Sequence, residues 1–212
     1  MVTKIDRTGE IGYNNFGSEM IIVRYENKRN IDVYFSEYNW TFKSAKYDSF
    51  KKGNIKCPYE RRTYGVGYLG EGEYKCKEND KLTRVYRTWV NMLTRCYNLK
   101  YHEKRPTYIN CEVSKEFHNF QDFGNWYDDN YYQIEGQKMC LDKDILFKHN
   151  KIYSSETCMF VPNTINVLFT KSDSKRGESV IGISPFQGKY RAECQMINSK
   201  TGKSKKRIFR LI

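Results

Sequence analysis

Asp142 and Asp144 are the two residues whose types and spacing are best suited to chemistry. They are two positions apart in the apolar segment LDKDI at residues 141–145, and residues i and i+2 of a β-strand share one face. A short polar turn with His149 and Asn150 follows. Carboxylate oxygens can hold Mg²⁺ or Mn²⁺, and a histidine near the ion can activate water at neutral pH. The segment therefore predicts a site for metal-dependent hydrolysis.

The elements around this pair must hold it in place. A second apolar strand is predicted at Cys158–Val161, and Pro162 leads into a segment with helical character. Strand, turn, strand and helix, with oxygen ligands on the first strand, form the layout of a ββα-metal site. We expect one divalent ion, with metal ligands drawn from Asp142, Asp144, Asn163 and Asn166. The alternative is that both aspartates cap strand ends and pair with Lys143 or Lys148.

The charge of the chain indicates a polyanionic partner. Its 212 residues include 37 Lys and Arg against 25 Asp and Glu, which gives a net charge of +12 and a pI of about 9.3. Cations that neutralise phosphates release counterions, so duplex DNA is the expected partner, and a general solubility charge is the alternative. The sign of the charge excludes a DNA-mimicking inhibitor. The 18 Tyr, 12 Phe and 3 Trp supply rings that can stack on bases, although most are expected in the core.

The remaining composition predicts a cytoplasmic protein. No apolar stretch approaches the roughly 20 residues needed to span a bilayer, and the N-terminal residues lack the apolar core of a signal peptide. The seven cysteines are odd in number and have no CxxC spacing, which argues against a zinc site and a disulfide framework. No small-molecule cofactor and no membrane partner are expected.

Residues 1–80 predict a small β domain. Two β-rich runs, Met20–Tyr25 and Ile31–Phe35, flank a polar turn and form a candidate hairpin. The glycine-rich segment at residues 65–72 is not followed by a helical pattern, so it is not expected to bind a nucleotide. Strand bends in a small barrel are the expected role of these glycines.

Residues 81–176 predict two helices followed by the ββα segment. One face of the first helix is apolar: Leu82, Val85, Trp89, Met92, Leu93 and Cys96. The opposite face is polar, and its arginines Arg87 and Arg95 are candidate contacts to DNA, with a merely solvated face as the alternative. The second helix is predicted to start at Ser114 as its N-cap. It should direct Phe117, Phe120, Phe123 and Trp126 toward the core.

Residues 177–212 predict a three-stranded β meander. Strands are expected at 180–183, 189–194 and 206–209, with turns at Gln187-Gly188 and Thr201-Gly202. A sheet of this size can enter a major groove and read DNA. The candidate DNA contacts are Lys189, Arg191, Lys203, Lys205 and Arg207.

Motifs along nearly the whole chain resemble the HNH-type homing endonucleases of phages. They are WVNML at 89–93, RCY at 95–97, FHNF at 117–120, LDKDI at 141–145 and KIYSSETCMFVP at 151–162. The meander resembles the DNA-binding sheet of ethylene-response-factor domains, through IGI at 181–183, KYRA at 189–192 and GK at 202–203. The resemblance implies a phage or prophage protein in a bacterial cytoplasm that hydrolyses DNA. It implies a catalytic set of Asp142, Lys143, His149 and Asn150, in which Asn150 braces the loop.

Two differences from the family pattern favour another function. The family has Asp-His at the end of the first strand, where this chain has Asp142-Lys143, and the sequence ends at Ile212 before the helix that closes the related DNA-binding domain. The alternative is a catalytically inactive relative that binds nucleic acid or inhibits a host defence nuclease. In both cases the predicted fold class is α+β, with an N-terminal β domain, central helices with an HNH-like ββα motif and a C-terminal sheet.

Overall fold

The computed structural model describes residues 5–169, 183–197 and 204–211, and its fold is α+β as predicted. Two compact units make up the chain, residues 1–163 and 164–212. The boundary predicted at residue 80 falls inside the first unit, although the two hydrophobic cores of that unit lie on either side of it. Within the described ranges, every helix is too short or too polar to cross a membrane.

A four-stranded antiparallel sheet forms the N-terminal part of the first unit. Its strands lie side by side in chain order: β1 (Ile11–Tyr13), β2 (Glu19–Asn27), β3 (Asn30–Phe35) and β4 (Trp40–Ala45). A 3-10 helix (Ser36–Tyr38) and helix α1 (Tyr47–Lys51) complete this part. Alternate residues of β2 and β3, such as Ile22 and Val33, are fully buried in its core. The predicted hairpin is therefore confirmed as β2–β3.

The rest of the first unit surrounds an aromatic core. It starts with β5 (Lys77–Glu78), β6 (Lys81–Leu82), α2 (Arg84–Tyr97), α3 (Leu99–Lys104), a 3-10 helix (Pro106–Tyr108) and β7 (Glu112–Val113). It continues with a 3-10 helix (Lys115–His118), α4 (Phe120–Asn130), β8 (Met139–Asp142), β9 (Ile152–Tyr153) and β10 (Met159–Pro162). Helix α5 (Asn163–Phe169) begins at the unit boundary, and its residues after Asn163 belong to the second unit. Strand β8 pairs with β10 in antiparallel orientation, and β7 pairs with β9 in parallel orientation.

Helix α2 follows the predicted apolar periodicity. Thr83 is its N-cap, and its side-chain oxygen accepts a hydrogen bond from the Tyr86 amide. Trp89 and Leu93 are fully buried, and the Trp89 indole donates to the Phe117 carbonyl at 2.8 Å. The predicted inward face is confirmed from Val85 onward, whereas Leu82 precedes the helix and is exposed.

The second predicted helix starts later than expected. Ser114 precedes only a 3-10 turn, and the α-helix begins at Phe120 with Asn119 as N-cap, whose side chain accepts from the Gln121 amide at 3.1 Å. Asn119, the second capping residue, therefore separates the 3-10 turn from the α-helix. The predicted burial of Phe117 and Phe120 is nevertheless confirmed.

The glycine-rich segment at residues 65–72 is not part of a barrel, so that prediction was wrong. It is a loop that packs on the helices. A Cβ atom on Gly67 would lie 2.5 Å from Leu93 Cδ1, and one on Gly72 would lie 2.4 Å from the Gln121 amide oxygen. These glycines therefore allow close approach of backbone to helix.

The second unit contains the predicted three-stranded meander. Its antiparallel strands are β11 (Ile183–Phe186), β12 (Lys189–Ile197) and β13 (Ser204–Leu211). Gln187 and Gly188, with φ values of +50° and +73°, form the predicted turn between β11 and β12. The predicted turn at Thr201-Gly202 and the start of the first predicted strand lie outside the described residues.

Candidate functional site

Asp142 is the last residue of β8, where it lies opposite Met159 of β10. Its Oδ1 atom accepts hydrogen bonds from the amides of Asp144, at 2.7 Å, and Ile145, at 2.9 Å. This Asx turn ends the strand and bends the chain away. Asp144 therefore lies beyond the strand, and the prediction that both carboxylates share one strand face was wrong.

Lys143 is buried, with 5% of its surface exposed. Its ammonium group forms an ion pair with Asp144 and donates to the Asn150 carbonyl at 2.7 Å. The ammonium also lies 5.7 Å from the centroid of the Tyr153 ring. These contacts agree in part with the alternative interpretation: Asp144 pairs with Lys143, and Asp142 ends the strand through backbone amides.

Asn150 closes the loop that starts at Lys143. Its side-chain nitrogen, Nδ2, donates to the carbonyls of Lys143, at 2.9 Å, and Ile152, at 2.6 Å. Its side-chain oxygen accepts from the Ile152 amide at 3.2 Å. Together with the hydrogen bond from the Lys143 ammonium to the Asn150 carbonyl, these bonds hold the two ends of the loop together. We name residues 143–150 the clasped loop.

His149 is in a turn within the clasped loop. The Asn150 amide donates to the Phe147 carbonyl at 3.0 Å, and His149 has a φ of +67° at the third position of that turn. Its side chain is exposed and makes no hydrogen bond to Asp142 or Asp144. The proposed water-activating role of His149 is thus not supported by any contact to the proposed metal ligands.

The donor groups do not fit a divalent ion. Among the described residues, no three His, Cys, Asp or Glu side chains gather as a metal site would require. One oxygen of Asp142 is used by backbone amides, and Asp144 is bound to the Lys143 ammonium. Asn163 accepts from the Cys140 thiol at 3.4 Å and begins α5, whereas Asn166 belongs to the second unit.

Arg95 does not lie on an exposed helix face, so that prediction was wrong. Its guanidinium is half-buried and donates at 3.4 Å to the Leu141 carbonyl and the Tyr153 hydroxyl. It also lies 5.8 Å from the centroid of the Tyr108 ring. Arg95 braces β8 from within. Arg87 is exposed as predicted, and its guanidinium donates a hydrogen bond to the Leu82 carbonyl at 3.1 Å.

Replacing Asn150 with alanine should destabilise the first unit by about 2 kcal/mol, because it leaves the backbone groups of Lys143 and Ile152 without their partner. Chemical denaturation followed by circular dichroism measures this change. Asn91→Ala, at an exposed position of α2, is the matched control and should change stability by less than about 0.5 kcal/mol. Equal stability of the two variants would contradict the bracing role.

The register of the C-terminal sheet divides the predicted DNA contacts between its two faces. Arg191 lies opposite Arg210, and Lys189 is two positions before Arg191, so these three positions share a face. The Arg191 guanidinium lies 4.6 Å from the ring centroid of Phe186, the cross-strand partner of Lys189. That face is named the basic face.

Two of the predicted contacts are on the other face. Lys205 and Arg207 lie opposite Met196 and Cys194, whose even positions on β12 alternate with that of Arg191. Lys203 lies outside the described residues. Lys206 lies opposite Gln195 and therefore belongs to the basic face.

Sequence reasoning missed Lys206 and Arg210 as members of this set. Successive residues of a strand alternate between the two faces of a sheet. If the pairing of β12 with β13 had been known, this alternation would have placed both residues on the same face as Arg191. The hairpin register was not accessible, because the Thr201-Gly202 turn motif does not by itself fix which residues of the two strands pair. The basic face therefore carries the positions of Lys189, Arg191, Lys206 and Arg210, and the acidic Glu193 lies among them on β12.

Neither a protein-family model, nor a curated protein, nor a solved structure matches this chain, so both candidate sites rest on their own geometry.

Proposed function

We propose that this chain binds duplex DNA through the basic face of its C-terminal sheet and acts by occupying DNA rather than by cutting it. The observation that carries the proposal is the gathering of four basic positions on one face of β12 and β13. The net charge of +12 supports it, because neutralised phosphates release counterions.

The cross-strand arrangement also supports an anionic ligand. Arg191 and Arg210 are direct partners in the antiparallel pair, so two positive positions lie side by side on the basic face. A phosphate that binds at these two positions would be contacted by two arginines, and charge-assisted hydrogen bonds from arginine to phosphate are strong. The pair is therefore a candidate phosphate-binding position on the basic face.

Binding without hydrolysis fits the contacts around Asp142. The position where the related family carries a water-activating histidine holds Lys143, whose ammonium is buried and paired with Asp144. A buried ammonium that is fixed by two hydrogen-bond acceptors is not a base. This favours the catalytically inactive relative predicted as the alternative, whose partner is DNA or a host defence nuclease.

The second candidate function is a metal-dependent DNA endonuclease of the HNH type. The observation in its favour is the order of β8, β10 and α5, with the Asp142 carboxylate at the end of the first strand. Mg²⁺ or Mn²⁺ would be required in that case.

Two measurements on the full chain test the proposal. We expect affinity for a short duplex to fall with salt, at a logarithmic slope of about −0.9 per neutralised phosphate. We also expect supercoiled plasmid to stay intact with Mg²⁺ or Mn²⁺. Nicking that is lost in Asp142→Ala would establish the endonuclease instead, and His149→Ala would then test the base. Absence of salt-dependent binding would refute the proposal.

A further inference from the structure

The clasped loop presents two large apolar side chains to solvent. Leu146 and Phe147 are neighbours in the loop, and they are 51% and 56% exposed. The loop is held at its base by the hydrogen bonds between Lys143, Asn150 and Ile152. The tip is therefore fixed in place while its apolar groups remain in water.

A pair of this kind indicates a contact surface. A single exposed apolar residue is ordinary. Two adjacent ones on a braced loop leave a larger apolar area in water, and burying that area against a partner would be favourable. The clasp keeps the tip from collapsing onto the core. The site is thus organised in advance for a partner that takes up the apolar groups.

Charge selects the class of partner. Lys148 follows the apolar pair directly and is exposed, and the chain as a whole carries +12. An apolar tip flanked by a cation is suited to DNA, because the interior of the base stack is apolar and its edge is lined with phosphates. Minor-groove proteins insert leucine or phenylalanine between base steps in this way.

We propose that Leu146 and Phe147 form a wedge that enters the base stack of duplex DNA, with Lys148 on an adjacent phosphate. The inference rests on the proposed function and adds a deformation of the bound DNA to it. Partial unstacking by the wedge unwinds the duplex, and the contacts that the deformed DNA makes with the protein offset the cost of unstacking.

Unwinding can be measured without knowledge of a target sequence. A closed circular plasmid is relaxed with the protein bound, in EDTA, by a topoisomerase that needs no metal, and its linking number is read after the protein is removed. We expect the wild type to lower the linking number in proportion to occupancy. The variant Leu146→Ala/Phe147→Ala should change it at least threefold less at equal occupancy, whereas Phe147→Trp should retain the effect.

Leu99→Ala is the matched control, because Leu99 is 77% exposed at the start of α3. It should unwind DNA like the wild type. Salt-dependent binding by the wild type with no change in linking number would overturn the wedge and leave the proposed function intact. No binding at all would overturn both, and equal unwinding by the double alanine variant would assign the loop to another partner, such as a protein.

Discussion

Replacing Lys189, Arg191, Lys206 and Arg210 together with glutamine is expected to weaken duplex DNA binding at least about 100-fold at 0.15 M salt, because each cation that contacts a phosphate releases counterions on binding. The logarithmic salt slope should become shallower by about 3 to 4 units, at about 0.9 per lost contact. Fluorescence anisotropy of a labelled duplex over a salt series measures both quantities. A loss of affinity without a change of slope would mean that these positions do not contact phosphates.

Two double variants separate the basic face from net charge alone. Arg191→Gln/Arg210→Gln and Lys205→Gln/Arg207→Gln each remove two positive charges from β12 and β13, but from opposite faces. Only the first pair is expected to lower affinity strongly. Equal losses from both pairs would show that diffuse charge, rather than this face, attracts DNA.

The elements that the sequence predicts well are those whose pattern is local. The hairpin β2–β3 and the meander β11–β12–β13 were predicted from short runs rich in β-branched and aromatic residues between turn residues, which is typical of strands. The inward face of α2 follows from a 3.6-residue repeat of apolar residues, which includes the buried Trp89 and Leu93. In each case the residues that define the element are neighbours in the chain.

The predictions that failed depend on contacts distant in sequence. Arg95 matches the polar side of α2 by periodicity, but its partners, Leu141 and Tyr153, arrive 46 and 58 residues later. The glycines near residue 70 match a strand bend, yet they serve packing against α2 and α4. A periodic pattern does not reveal which partner a side chain meets.

The prediction that Asp142 and Asp144 lie on one strand failed for a more local reason. Both aspartates lie in an apolar run, which is consistent with a longer strand, but Asp142 hydrogen-bonds the two amides that follow it and ends the strand there. The strand propensity of Ile145 and Leu146 competes with this Asx turn, and the clasp by Asn150 favours the turn. Loop closure of this kind depends on one side chain and leaves no periodic signal.

Replacing Glu60 with alanine is expected to destabilise the first unit by about 2 to 4 kcal/mol, because a buried carboxylate that accepts from three side chains is lost, one of them the partly exposed Arg62. Glu60 is 1% exposed, and its carboxylate accepts from the Ser18 hydroxyl at 2.9 Å, from the Asn14 amide and from the Arg62 guanidinium. These bonds fasten the segment after the first core to the loop between β1 and β2. Thermal unfolding should shift down by roughly 10 °C for a domain of this size.

Glu71→Ala is the control for this change, since Glu71 is an exposed carboxylate with a single hydrogen bond, from the Tyr59 hydroxyl at 3.0 Å. It should cost less than about 1 kcal/mol. Glu60→Gln keeps the shape and one acceptor oxygen but loses the charge that Arg62 requires, so its stability should fall between the other two. A Glu60→Ala variant as stable as Glu71→Ala would mean that water replaces the carboxylate at Asn14, Ser18 and Arg62, and would contradict the expected role of Glu60.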